Sequence, residues 1–164
     1  MDISTIIMGI LAVALFIIPI YYIQHKQKSN VSKAKQPFLD AANQQGLQLG
    51  QHDFWNEQYG IGLDQSGNRL FYWHHDGQKP QETIIDLGAV KQSVVENMHR
   101  EVNSNRIIDT IGLRLSVSGT KSPNLYLPFY DKEGSMMLSG ELQLAEKWNA
   151  IIQSKMASRQ AVQV

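Results

Sequence analysis

Histidine is the side chain in this sequence best suited to hold a metal ion, because the chain has no cysteine and imidazole is a common metal ligand. The histidines are His25, His52, His74, His75 and His99. No two are four residues apart, the spacing that places two ligands on one face of a helix. His74 and His75 are neighbours on a predicted strand, so their side chains point to opposite faces. The spacing predicts packing or surface roles and no metal site.

Two short segments contain part of a ligand-binding pattern. Residues 64–68, Asp-Gln-Ser-Gly-Asn, begin like a calcium loop, but the glycine comes too early and the twelfth position is His75 instead of glutamate. Residues 59–62 contain Gly-x-Gly without a third glycine, and they lead into a strand instead of a helix. We therefore interpret the first as a hairpin turn and exclude dinucleotide binding for the second.

Signs of catalysis are also weak. The sequence contains no Gly-x-Ser-x-Gly nucleophile motif, and its carboxylates are scattered through predicted turns without a spacing that pairs two of them. The sequence predicts no catalytic residue, no cofactor and no metal ligand. Active sites built from distant strands leave no local pattern, so an enzyme or a small-ligand-binding domain on the same scaffold stays open as an alternative.

Length and charge limit the remaining classes of function. A chain of 164 residues accommodates one domain and an appendage. From Pro37 onward it carries eleven Lys and Arg against fourteen Asp and Glu. Nucleic-acid binding needs a clustered basic face. The mildly acidic domain therefore predicts no nucleic-acid partner.

The first segment has the properties of a membrane anchor. Residues 3–23 contain no charged side chain, and a helix of about 21 residues covers about 31 Å, close to the thickness of the hydrocarbon layer. A cleaved signal peptide needs a basic start, a shorter apolar run and small residues at its end, which this segment lacks. The residues that define the anchor and its interface are Ile3, Pro19, Tyr21, Tyr22 and Ile23. The segment predicts a single-pass signal anchor in the lipid bilayer.

Charge asymmetry predicts the orientation of that anchor. Residues 24–36 form a polar linker that carries Lys26, Lys28, Lys33 and Lys35, whereas no lysine or arginine precedes the anchor. The positive-inside rule then places the N-terminus outside and the domain in the cytoplasm, at the inner (plasma) membrane. An envelope-facing binding module is the alternative.

The remainder predicts an α+β domain over residues 37–156, followed by a polar tail at 157–164. Pro37 opens a short helix that Gly46 ends. About seven short antiparallel strands follow, at residues 47–54, 59–64, 69–75, 82–87, 90–96, 107–118 and 124–130. A C-terminal amphipathic helix then places Leu142, Ala145, Trp148 and Ile152 on one apolar face.

This order of elements resembles the pleckstrin-homology-like (PH-like) domain of bacterial membrane-attached proteins. The segments that carry the resemblance are Ile85-Asp86-Leu87 and Ala145-Glu146-Lys147-Trp148. It implies a bent, partly closed barrel capped by the last helix. The first hairpin link, residues 52–59, has no Lys or Arg, so the family's phosphoinositide binding is not carried over.

The sequence thus predicts a membrane-anchored interaction module without catalysis. The expected partners are the bilayer and a membrane-associated protein or peptide whose identity is unknown. Trp55 is a candidate contact residue, and packing against the sheet is its alternative role.

Overall fold

The computed structural model describes residues 33–119, 123–134 and 138–162. Helix α1 covers residues 33–44. It is followed by β1 (Leu49–Trp55), β2 (Tyr59–Asp64), β3 (Arg69–His74), β4 (Gln81–Asp86), β5 (Val90–Val102), β6 (Asn105–Val117), β7 (Asn124–Asp131) and α2 (Glu141–Val162). The order of seven strands and a C-terminal helix agrees with the sequence-based expectation.

The strands form two antiparallel sheets. Sheet A contains β1 to β4 in chain order, and sheet B contains β5, β6 and β7. Strand β2 has the predicted bounds, and Gly67, with φ of 76°, lies in the turn that follows it. Strands β5 and β6 are each 13 residues long. Strand β5 continues six residues beyond its predicted end at residue 96, whereas β6 starts two residues before its predicted start and ends one residue before its predicted end. A tight turn with positive φ at Asn103 and Ser104 joins them, a conformation that matches the twist of a hairpin.

The predicted bent, partly closed barrel is wrong, because no ladder joins the two sheets in the described part of the chain. Instead, side chains of sheet A donate hydrogen bonds to backbone carbonyl groups of β7. Trp55 Nε1 donates to the Phe129 carbonyl at 2.9 Å, and Tyr72 Oη donates to the Pro128 carbonyl at 2.6 Å. Burial raises the pKa of Tyr72 well above its ordinary value, so the phenol stays protonated and can donate. These contacts join sheet A to β7 of sheet B.

The expected fold class also included a transmembrane helix. Neither helix among the described residues has the length and apolar character needed to cross a bilayer. The predicted anchor at residues 3–23 lies outside the described residues.

The main core contains the inner faces of both sheets and one face of α2. Ala145, Trp148 and Ile152 are fully buried in this core, and Leu142 packs against it partly buried. The Trp148 indole Nε1 donates to Asp53 Oδ2 at 2.8 Å, and Lys147 Nζ lies 2.6 Å from the same oxygen. Asp53 thereby fixes α2 to strand β1.

Helix α1 covers the opposite face of sheet A. Phe38 is fully buried there in a second cluster that includes Phe71 and Trp73. The approach is so close that a Cβ at Gly60 would lie 2.4 Å from the Phe38 ring. The absence of a side chain at Gly60 therefore leaves the space in which the Phe38 ring of α1 packs. Because α1 includes residues 33–36, this end of the predicted linker is helical.

We expect Gly60→Ala to destabilise the domain by about 1–3 kcal/mol, because the added methyl group overpacks a filled interface. Chemical denaturation of the purified chain measures the change. Gly50→Ala is the matched control, since a Cβ at Gly50 meets its nearest neighbour at an ordinary 3.5 Å. Equal stability of the two variants would contradict the close seating of Phe38.

Candidate functional site

The candidate site is the outer face of the β5–β6 hairpin, which turns away from the main core. The register pairs Val94 with Arg114, Met98 with Thr110 and Arg100 with Ile107. Direct cross-strand neighbours share a face, and side chains two residues apart along a strand do so as well. Val94, Met98, Val102 and Ile107 therefore lie on one face of the hairpin, each between 38% and 53% exposed. We call these four residues the hairpin apolar face.

Charged side chains on the same face are already paired with each other. The Arg114 guanidinium donates to both carboxylate oxygens of Glu96, from Nε to Oε1 and from Nη2 to Oε2, the second at 2.7 Å. This hydrogen bonding lowers the pKa of Glu96, so the carboxylate is ionised at neutral pH. The Arg114 guanidinium carbon also lies 5.8 Å from the centre of the Tyr126 ring. The pairing holds the charges in place beside the apolar residues.

A second ionic group lies at the bulge of β6. Asp109 accepts a hydrogen bond from Lys132 Nζ at 2.7 Å, and Arg100 Nε lies 3.4 Å from the same carboxylate oxygen. The Lys132 hydrogen bond lowers the pKa of Asp109. The hairpin thus presents apolar side chains bordered by paired charges, a composition typical of the apolar centre and polar rim of protein interfaces.

A polar cavity of about 520 Å³ lies between two strand turns and the end of α2. Its described lining is Ser66, Gly67, Asn68, Asp86, Leu87, Gly88, Lys155 and Ser158. Asp86 Oδ1 accepts a hydrogen bond from the Gly88 amide at 2.7 Å. Asp86 and Lys155 are the side chains of this described lining that can carry charge.

Beside this cavity, Asp64 organises the turn between β2 and β3. Its side chain is buried and accepts two hydrogen bonds, one from the Ser66 hydroxyl and one from the Gln48 backbone N–H at 2.9 Å. The Arg69 guanidinium lies 3.5 Å from the same carboxylate. The Ser66 and Gln48 hydrogen bonds, with a smaller effect of Arg69, lower its pKa. The segment with a partial calcium-loop pattern is therefore a hairpin turn whose first carboxylate is used within the fold.

We expect Asp64→Asn to lower the melting temperature at pH 7, because the ionised carboxylate is the form that the turn stabilises. A group with a depressed folded pKa adds stability above its unfolded pKa and loses it as the pH falls. The difference from the native chain should therefore shrink below about pH 4. Thermal unfolding across this range, with the exposed Asp40→Asn as control, measures it. A difference that does not change with pH would contradict the assignment.

His74, the last residue of β3, and His75, which follows it, have packing partners. His74 stacks on Tyr59 with ring centres 4.4 Å apart, and His75 stacks on Trp73 at 5.7 Å. Tyr59 belongs to the main core and Trp73 to the α1 cluster, so the two imidazoles lie on opposite faces. Burial lowers the pKa of His74. Among the residues that the structure describes, no group of His, Asp and Glu could hold a metal ion.

The predicted contact residue Trp55 packs inside the fold. Its ring stacks on Phe129 at 4.7 Å and on Tyr59 at 5.5 Å, and its N–H is used by the Phe129 carbonyl. Of the predicted basic cluster, Lys33 and Lys35 lie on α1. Lys26 and Lys28 lie outside the described residues, as do Ile3, Pro19, Tyr21, Tyr22 and Ile23 of the anchor. The described residues therefore place Trp55 against the main core and Lys33 and Lys35 on α1.

Sequence reasoning missed the hairpin apolar face. The available signal was the spacing of Val94, Met98 and Val102, because residues an even number of positions apart share one face of a strand that continues beyond residue 96.

Comparison with known proteins gives no neighbour for this arrangement. No family model, no curated protein and no solved structure matches the chain. The PH-like resemblance of the sequence stays a prediction.

Proposed function

We propose that this chain is a single-pass membrane protein whose folded domain binds a protein partner through the hairpin apolar face, without catalysis of its own. The observation that supports it is the position of Val94, Met98, Val102 and Ile107 on one exposed face. Apolar side chains grouped on an exposed face and bordered by polar residues are typical of interaction sites. The partner expected for this face is a membrane-associated protein that presents apolar side chains.

The membrane part of the proposal rests on the uncharged segment at residues 3–23 and the lysines that follow it. Only residues 24–32 separate this segment from α1, and nine extended residues reach at most about 31 Å. The seating of Phe38 on sheet A holds α1 against the domain. A bilayer-inserted segment would therefore keep the hairpin near the membrane, where the effective concentration of other membrane proteins is high.

We expect a cysteine at Gln78, in an exposed turn of sheet A, to react with a membrane-impermeant maleimide only after cell lysis. This result follows if the lysines after residue 23 face the cytoplasm. The native chain has no cysteine and supplies the background. Labelling in intact cells would place the domain outside and favour an envelope-facing module.

We expect Ile107→Asp to abolish contacts between the chain and other membrane proteins, because it puts a charge on the hairpin apolar face. Crosslinking in intact cells, followed by purification of the full chain, measures proteins that copurify with it. Ile84→Asp is the matched control, since Ile84 is 43% exposed on β4, outside this face.

Crosslinked partners retained by Ile84→Asp and lost by Ile107→Asp would support the proposed site. The same set of partners for both variants and the native chain would overturn it. Copies of the chain itself are excluded from this comparison.

A further inference from the structure

Strand β5 lies at an edge of sheet B. In the described part of the chain it pairs only with β6. Helix α2 holds its first half, where the Ser93 hydroxyl donates to Asn149 Oδ1 at 2.6 Å and Gln153 Nε2 donates to the Ser93 carbonyl at 3.2 Å. From Val94 to Val102 no described strand or helix hydrogen bonds along this edge. An edge of that length is a template for an added strand.

The sequence of this edge is complementary to itself. If two copies of β5 pair antiparallel with Met98 at the two-fold axis, residues at equal distances on either side of Met98 face each other. Val94 then lies opposite Val102 of the second copy, and Glu96 lies opposite Arg100 of the second copy. Both matches occur twice because of the symmetry. Apolar pairs and opposite charges directly across a ladder are favourable combinations.

Existing contacts leave these charges able to pair. Arg114 occupies one acceptor position on each oxygen of Glu96, and a carboxylate has about four such positions. Arg100 makes a single contact of 3.4 Å to Asp109 and is exposed. Its remaining donors can reach a carboxylate on an adjacent strand.

The inner face of the same edge holds an unmet acceptor. Asn97 Oδ1 is buried and accepts no hydrogen bond from the described residues. In the pairing centred on Met98, Asn97 lies opposite His99 of the second copy. Arg106 Nη2 lies 3.0 Å from His99 Nδ1. Since a guanidinium only donates, Nδ1 accepts and the ring hydrogen is on Nε2. The second copy thus brings a donor to the side of the strand that lacks one.

From this complementarity we infer that two copies of the chain pair through antiparallel β5 strands, with Met98 on the two-fold axis. The pairing gives a closed, two-fold symmetric dimer with a six-stranded sheet. It goes beyond the proposed function, because it uses the backbone edge of β5 and leaves the hairpin apolar faces of both copies side by side.

Cysteine substitution in the full chain tests the register, since the native chain has no cysteine. In native membranes under mild oxidation, Met98→Cys should form a disulfide-linked dimer, because opposed Cβ atoms lie about 5 Å apart. Val94→Cys alone should not, since its two copies would be about 27 Å apart along the strands. Coexpressed Val94→Cys and Val102→Cys chains with different tags should link to each other.

A Met98→Cys chain that does not link, or a Val94→Cys chain that links equally well, would overturn the inference. Charge reversal gives a second measurement. In the Met98→Cys background, Arg100→Glu should lower the crosslinked fraction several-fold, because it faces Glu96 of the second copy with a like charge. Lys91→Glu makes the same charge change outside the paired segment and should leave the fraction unchanged. An equal effect of the two changes would contradict the register.

The dimer and the proposed function can fail separately. Loss of heterologous partners in Ile107→Asp reports on the hairpin apolar face, whereas the disulfide at position 98 reports on the edge of β5. A disulfide without heterologous partners supports the dimer alone, and the reverse result supports the binding face alone.

Discussion

The burial of strand β2 on both faces is the constraint on which the rest of this fold depends. All its residues from Tyr59 to Asp64 are buried, which an ordinary alternating strand of a two-layer domain would not achieve. Ile61 faces the main core, while Gly60 and Gly62 leave room on the other face for Phe38 and Leu49. A sheet with both faces covered needs small side chains where a second layer approaches closely. The Gly-x-Gly pattern therefore serves packing.

This constraint has consequences for the position of the domain. Because Phe38 is seated against Gly60, helix α1 forms part of the packed structure and is not a loose continuation of the linker. Any force or restraint on the chain before residue 33 is transmitted to sheet A through a filled aromatic interface. On the other side of sheet A, Asp53 binds Trp148 and Lys147 of α2. Sheet B packs on the same core, and hydrogen bonds join its Ser93 to Asn149 and Gln153 of α2.

Much of the secondary structure could be predicted from sequence, but the relation between the sheets could not. Turn residues and alternation mark β2 and the apolar face of α2 locally. Hydrogen bonds from Trp55 and Tyr72 to carbonyls of β7 join the two sheets, and no local pattern in the sequence reveals them. The second half of β5 was missed because Glu96 and Arg100 interrupt its apolar residues. These two charges would attract each other if Glu96 lay opposite Arg100 of a second copy across a two-fold axis. That relation becomes visible only once the register of the hairpin is known.

Exposure of a long apolar edge is normally an aggregation hazard, and proteins protect such edges with charges or covering elements. In strand β5 the two forms of protection apply to different halves. Helix α2 covers the first half. In the exposed half, Glu96 and Arg100 stand between Val94, Met98 and Val102. Charges of one sign would repel a second copy of β5, whereas one charge of each sign at equal distances from Met98 favours a single register with that copy. Partners displaced by two residues would set these charges against apolar side chains. Tethering to a bilayer would strengthen this selection, since confinement raises the effective concentration of copies without adding any contact.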